Sequence, residues 1–166
     1  KLVQFIGKDN IPFHSVIFPA MVMGQDTPYK LVDELPANEF LNLEGKQFSK
    51  SDGWYIDLQD MLTRYDVDQI RYTLAANAPE NSDSEFTWMD FYNRCNGELL
   101  GKLGNFVNRS LVFMKNNFSS KVPQYVLSDT DQEFLVKIKE LVFQAKDSYL
   151  KFNVRKVCQI LMEIAQ

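Results

Sequence analysis

The sequence predicts an α/β fold followed by an all-α one, and three observations carry that prediction. Short apolar runs divided by Pro and Gly fill the chain to about residue 86, and five of the six prolines lie there. Within that stretch a strand-like run, a glycine turn and a helical run follow one another, the order of an α/β unit with a partly parallel sheet. From residue 87 onwards apolar residues recur at helical spacing, broken only by a polar connector over 116–126 that contains Pro123.

Taken in order, residues 2–6 form a short apolar run closed by Gly7-Lys8-Asp9-Asn10. Pro12 stands where a first helical turn accepts it, and 13–23 continues helically to Gly24. Residues 31–35 and 39–43 read as two further short strands. Gly45 and Gly53 then bracket the polar segment Lys46-Gln47-Phe48-Ser49-Lys50-Ser51-Asp52. Asp57 is placed to cap a helix over 58–64, and Asp66 another over 67–77. Thr87 is the N-cap of the next, with Asp90 where a capping box usually has Glu or Gln. Leu99, Leu103, Phe106, Val107, Leu111 and Met114 draw one apolar stripe along it. A second long helix covers 129–150, with Phe134, Leu135, Ile138, Leu141, Val142 and Ala145 on one face. A third starts near Asn153 and carries Val157, Ile160, Leu161 and Ile164, still running at the last residue. Helices of this kind pack as a bundle or part of one. No internal repeat is visible, and the six methionines form no stripe.

Composition limits the function classes. A formal charge of -4, from 18 basic and 22 acidic residues, excludes a polybasic binder. Any nucleic-acid contact must therefore use a local basic surface. Cys95 and Cys158 stand far apart without a CxxC, and His14 is the only histidine. These are too few donors for a structural zinc site, and a reducing, cytoplasmic setting without disulfides is expected. The apolar run 13–23 is about half a membrane-spanning helix, so no membrane association is expected. There is no signal-peptide pattern. The first residue is Lys and 1–7 reads as the middle of a strand, so a piece of a longer polypeptide is expected.

The chemistry concentrates in 45–53. Two lysines and two serines on a glycine-bounded loop offer ammonium and hydroxyl donors to a polyphosphate whose charge grows as a bond breaks. The GxxxxGK[ST] spacing of a P-loop is absent. Composition alone leaves a solvated surface loop as the alternative. His14, between Phe13 and Val16, reads on its own as a core or boundary residue. Gly7 permits close backbone approach, and Lys8 and Asp9 lie at the carboxyl end of a strand, where α/β folds bind ligands. A surface ion pair at a turn is the alternative there. Asn105 and Arg109, at i and i+4, share one helix face. Between Arg94 and Lys121 five basic residues face one acidic residue, a local balance of +4.

Phe48-Ser49-Lys50-Ser51 resembles the KMSKS signature of class I aminoacyl-tRNA synthetases, in its FSKS form. Phe5-Ile6-Gly7-Lys8-Asp9-Asn10-Ile11-Pro12-Phe13-His14-Ser15 is similar to a stretch typical of methionyl-tRNA synthetases. Glu39-Phe40-Leu41-Asn42, Glu98-Leu99-Leu100 and Leu103-Gly104-Asn105-Phe106-Val107-Asn108-Arg109 follow in the same order and approximate spacing. The resemblance covers nearly the whole chain and weakens after about Pro123.

The resemblance implies the end of a Rossmann-like catalytic domain over 1–37, a KMSKS-loop and stem-contact module over 38–86, and a truncated helical anticodon-binding domain over 87–166. It implies ATP-dependent activation of methionine, with ATP and Mg2+ as the substrate complex, then transfer to tRNA(Met). Lys50 matches the signature lysine that steadies the phosphates, and Ser49 and Ser51 would shape the loop. Gln47 replaces the first signature lysine, and whether Lys46 supplies its charge is open. Gly7, Lys8 and Asp9 fall at the ATP side, His14 at the methionine pocket, and Asn105 and Arg109 at the anticodon. Asp66, Asp68, Arg71 and Tyr72 match a segment under the loop, read mainly as structural, and Trp88 and Phe91 a join to the helices. The HIGH motif and any zinc-bearing insertion would lie upstream, so the piece alone is expected to be inactive. The rival readings are a class I synthetase for leucine, isoleucine, valine or cysteine, a non-catalytic tRNA-binding or scaffold protein, and a generic helical interaction module.

Overall fold

The computed structural model describes all residues, Lys1–Gln166. They form two compact units: Lys1–Ile56 with Asn77–Phe86, and Asp57–Ala76 with Thr87–Gln166. The three consecutive segments read from the sequence share with this division only the boundary after Phe86.

In the first unit β1 (Ile6–Gly7) pairs in parallel with β2 (Ala37–Asn38), Ile6 opposite Ala37. The pairing extends back through a parallel bridge between Val3 and Glu34, and the Gln4 and Ile6 amides donate to the Glu34 and Pro36 carbonyls. The stretch paired with the first strand thus runs from Glu34 to Asn38, overlapping only the end of 31–35. Pro36 has no N–H, yet its carbonyl still serves the ladder. A 3-10 turn (Lys8–Asn10) leads into a helix over 11–23. Its second turn is π-helical (Phe13–Ile17), the Phe18 amide reaching back to the Phe13 carbonyl, before α1 (Phe18–Met23). Pro19 lacks the N–H that would bond the Ser15 carbonyl, and the turn widens there.

A second sheet has the order β4-β3-β5. β3 (Leu41–Leu43) runs antiparallel to β4 (Lys46–Gln47) and parallel to β5 (Ser84–Phe86). Leu43 and Phe86 are direct cross-strand partners and both are buried, which makes them the core of this sheet. β4 and β5 carry no apolar run of their own. They exist because β3 offers both of its edges.

The second unit is helical. Asp57 caps α2 (Leu58–Arg64), its carboxylate accepting the Asp60 amide at 2.9 Å. α3 (Val67–Ala76) follows Asp66, whose amide donates to the Gln69 side chain at 3.3 Å. Thr87 caps α4 (Trp88–Asn93) through the Asp90 amide at 3.0 Å. The chain then continues through a π-helical stretch, Arg94–Gly104, into α5 (Asn105–Phe118). Ser119 and Ser120, both left-handed, end α5. A capping box of Ser128 and Asp131 starts α6 (Asp129–Leu150), and the Ser128 hydroxyl and amide hold the Asp131 carboxyl below its ordinary range. α7 (Val154–Ile164) packs on α6, on α3 and on the π stretch. Its Ile160, 1% exposed, meets Leu141 and Ala145 of α6, with Ile164 against them. Tyr65, after α2, packs edge-on to Phe91 at 4.8 Å and lies 5.9 Å from Trp88, which joins 57–76 to the later helices.

One expectation needs correction. The stripe Leu103, Phe106, Val107 and Leu111 is exposed, as are Phe134, Leu135, Val142 and Leu161. Periodicity marks an apolar face but does not decide whether another element covers it. The last helix keeps its i−4 bonding as far as the Ala165 amide, which donates to the Leu161 carbonyl at 3.2 Å.

Candidate functional site

The glycine-bounded segment is built as two turns on one strand. Glu44 and Gly45, at φ 47 and 79, make the tight left-handed turn between β3 and β4, as two-residue hairpins require. The Gly45 amide donates to the Glu85 carboxylate of β5. Further on, Ser49 and Trp54 exchange two backbone hydrogen bonds of 2.9 and 2.8 Å. Between them the Gly53 amide returns to the Lys50 carbonyl at 3.2 Å, with Gly53 at φ 68.

Side chains lock the inside of this loop. The Ser49 hydroxyl donates to Asp52 at 2.8 Å, accepts the Asp52 amide at 3.3 Å and lies 3.1 Å from the Ser51 hydroxyl. The two serines thus spend their polar groups on loop shape. Lys50 stands exposed at the tip and forms no ion pair, so its ammonium is available to a ligand. Trp54 anchors the base: its indole N–H donates to the Leu43 carbonyl at 2.9 Å, and the Lys46 ammonium sits 5.1 Å from its ring centroid. The sequence reading passed over Trp54. Its position directly after Gly53, where the loop returns to β3, was the available signal.

At the end of β1 the picture differs. The Lys8 ammonium lies 2.5 Å from Glu39 and 2.7 Å from Asp83, and 4.3 Å from the Phe40 ring centroid. Asp83, then Glu39, hold the Lys8 ammonium more firmly protonated than usual. Lys8 and the Phe40 amide in turn hold the Asp83 carboxyl below its ordinary range. Lys8 is therefore engaged in joining β1 to the second sheet, the surface ion pair that the residues alone allowed. Asp9 is exposed, and a Cβ on Gly7 would fall 2.7 Å from its Oδ1. His14 is half-buried, with Phe13 edge-on at 5.3 Å. Its Nδ1 is enclosed without a hydrogen-bond partner, as is Oε1 of Gln4. Enclosed polar atoms without partners are uncommon in native folds.

In the helical unit Asn105 and Arg109 stand one turn apart, both exposed. They line a hollow of about 330 Å³ with Gly101, Lys102, Phe106 and Ser110 and with the last two residues. Arg94 is spent elsewhere: it binds Asp90 at 2.7 Å and Glu98 at 3.3 Å. Burial lowers its hold on the proton, but these two carboxylates outweigh burial and raise it overall. Of the cations between Arg94 and Lys121, Lys102, Arg109, Lys115 and Lys121 form no such pair, and Lys102 and Arg109 line the hollow. The Tyr72 hydroxyl donates to Glu98 at 2.6 Å, and burial, then Glu98, push the phenol well above its ordinary range. Tyr72 is thus a structural member of a chain Tyr72–Glu98–Arg94–Asp90, while Asp66, Asp68 and Arg71 are exposed. No three His, Cys, Asp or Glu side chains converge to hold a metal ion, and both cysteines are free and buried. No helix is long and apolar enough to cross a membrane.

A short parallel sheet, a lysine-bearing loop at a strand end and a following helical unit make up the pattern of a class I synthetase. A family model described as tRNA synthetases class I (M) matches residues 1–111, and the chain belongs to that family. It is 67% identical over its whole length to the methionine–tRNA ligase of Protochlamydia amoebophila (strain UWE25), of which it covers 24%. It is 52% identical, over 98% of its length, to that of Chlamydia pneumoniae, covering 30% of it. Among solved structures, 99% of the chain superposes on the methionyl-tRNA synthetase of Mycobacterium tuberculosis bound by methionyl-adenylate, with TM-score 0.84 and 28% identity, covering 32% of that chain. The chain thus spans about a quarter to a third of the relatives it matches.

Proposed function

We propose that this chain is the part of a methionine–tRNA ligase that supplies the phosphate-facing loop and the tRNA-facing helix. The observation that carries this reading is the loop itself: an internally bonded turn that holds one unpaired ammonium, Lys50, at its tip. In the complete enzyme the methionine carboxylate attacks the α-phosphorus of ATP, which enters as its magnesium complex. Methionyl-adenylate forms and pyrophosphate departs. A carboxylate is already ionised at neutral pH, so the step needs no general base. It needs positioning and donors for the growing negative charge, and Lys50 supplies one. The terminal ribose hydroxyl of tRNA(Met) then attacks the acyl carbon of the adenylate, the ester forms as the acyl–phosphate bond breaks, and AMP departs.

Ser49 and Ser51 hold the loop in shape for this. Gly7 and Asp9 border the ATP side, where Lys8 acts by fixing the strand end through Glu39 and Asp83. His14 lines the methionine pocket, and its enclosed, unpartnered Nδ1 supports a polar contact there. Asn105 and Arg109 read anticodon bases, whose pairing edges suit amide and guanidinium groups. In this reading residues 1–37 close the catalytic domain, 38–86 carry the loop and contact the tRNA stem, and 87–166 form the anticodon-binding domain. The donor set of this chain does not fit zinc, and no step here involves it. Two free cysteines and this role suit the cytoplasm.

The test is amino-acid-dependent ATP–pyrophosphate exchange by the complete polypeptide, with methionine, leucine, isoleucine, valine and cysteine offered in parallel. Exchange with methionine alone is expected. Lys50→Ala should slow it by roughly 10²–10³-fold, about 3–4 kcal/mol, as for loss of one donor to transition-state charge. Exchange with another amino acid, or none in folded protein that still binds tRNA, overturns the reading.

A further inference from the structure

The loop holds a second cation in a place that its motif does not provide. Where the signature has its first lysine this chain has Gln47, and Lys46 stands one residue earlier. The Lys46 ammonium does not enter an ion pair. It rests 5.1 Å from the centroid of the Trp54 indole, within the range of a cation–π contact. The indole is itself fixed at two points. Its N–H donates to the Leu43 carbonyl at 2.9 Å, and its backbone is bonded both ways to Ser49, one residue from Lys50. Leu43 is also the β-pairing partner of Lys46, so strand, indole and ammonium form one closed unit. An aromatic face is a suitable seat for a working cation. It fixes the position of the ammonium without neutralising its charge, whereas the carboxylates around Lys8 neutralise theirs.

We propose that Lys46 supplies the loop's second phosphate-facing charge in place of Gln47, and that Trp54 is the positioning residue that holds it there. This rests on the loop's reading as the phosphate-binding element of the activation step. Asp52, whose carboxylate is nearby in sequence, accepts from the Ser49 hydroxyl and forms no ion pair with Lys46. The division of labour follows. Lys50 is exposed and follows the tip of the turn, while Lys46 is held by the base of the loop.

The experiment is ATP–pyrophosphate exchange by the complete polypeptide, with KM for ATP and for methionine and kcat measured separately. Lys50→Ala serves as the control for the underlying reading. Lys46→Met is expected to lower kcat/KM for ATP by at least about tenfold, the lower end for removal of a charge-stabilising donor, with KM for methionine unchanged. Restoring the signature lysine by Gln47→Lys should recover most of that loss in the Lys46→Met background. Trp54→Ala should lower kcat/KM for ATP as Lys46→Met does, and adding Lys46→Met to it should cost little more, because coupled residues are not additive. Trp54→Phe keeps a ring face and should recover part of the activity, which a purely structural loss would not show. The proposal is overturned if Lys46→Met changes ATP kinetics less than threefold while Lys50→Ala remains crippling, or if Gln47→Lys fails to rescue. It is equally overturned if the losses from Lys46→Met and Trp54→Ala multiply. If Lys50→Ala is also without effect, the reading of the loop falls, and this proposal with it.

Discussion

The Tyr72 phenol donates to the Glu98 carboxylate from within the helical unit, and its proton is held well above the ordinary value of 10.0 by burial first and Glu98 second. The sign of the consequence follows from which state ionises first. Above pH 10 the unfolded chain releases the phenolic proton while the folded chain keeps it, so stability falls as pH rises from there. Tyr72→Phe cannot ionise and lacks this slope. At neutral pH it should cost about 1 kcal/mol, a hydrogen bond to a charged partner discounted for partial exposure. The gap between wild type and variant in urea midpoint should then narrow above pH 10. A gap that stays constant to high pH would mean that Tyr72 titrates alike in both states. Burial pushes the Cys95 thiol up against an opposing Thr73 hydrogen bond, which disfavours its thiolate form.

At the scale of the element, the π-helical stretch decides how the long helix over 88–118 is built. A Cβ added to Gly101 would lie 2.9 Å from the Asn96 backbone carbonyl, which cannot move without opening the widened turn. Gly97 has open space around its missing Cβ. The two positions should respond with opposite sign. Gly97→Ala should stabilise by up to about 1 kcal/mol through helix propensity. Gly101→Ala should destabilise by about 1–3 kcal/mol, the usual cost of overpacking. Thermal unfolding of the helical unit in the complete polypeptide checks both, and stabilisation by Gly101→Ala would show that the turn relaxes to ordinary α geometry. In α7 the same measurement should give Ile160→Ala a loss of about 2–5 kcal/mol, because Ile160 is enclosed by Leu141, Ala145 and Ile164. A loss below 1 kcal/mol would mean that α7 is not the centre of this core.

For the whole molecule, the proposed function assigns different tasks to the two units. The loop with Lys50 belongs to the first unit, and Asn105 and Arg109 to the second. On that proposal Arg109→Ala should weaken aminoacylation of tRNA while leaving methionine-dependent ATP–pyrophosphate exchange within about threefold, because the proposed anticodon contact plays no part in activation. Measuring both reactions on one preparation separates the two. An equal loss in both would remove Arg109 from the tRNA-facing role and make it a residue of general structure.

Several elements were legible in the residues because their causes are local. Asp57, Thr87 and the span 129–150 announced α2, α4 and α6, since a cap and a helical period act within a few residues. The strand–turn–helix order around Gly7 and the FSKS loop were legible for the same reason. Tertiary structure decided what depends on residues far apart in sequence. It gave Lys8 to Glu39 and Asp83, paired β1 with Ala37–Asn38, and made β4 and β5 strands by pairing alone. It seated Lys46 on Trp54 and left the stripe of α5 uncovered. The sequence by itself thus determined the kind of protein and the loop that carries its charge, because a motif and a period are written in neighbouring residues. Only the folded chain decided which cations are free to meet a ligand, because a carboxylate or an indole must first be brought alongside each ammonium.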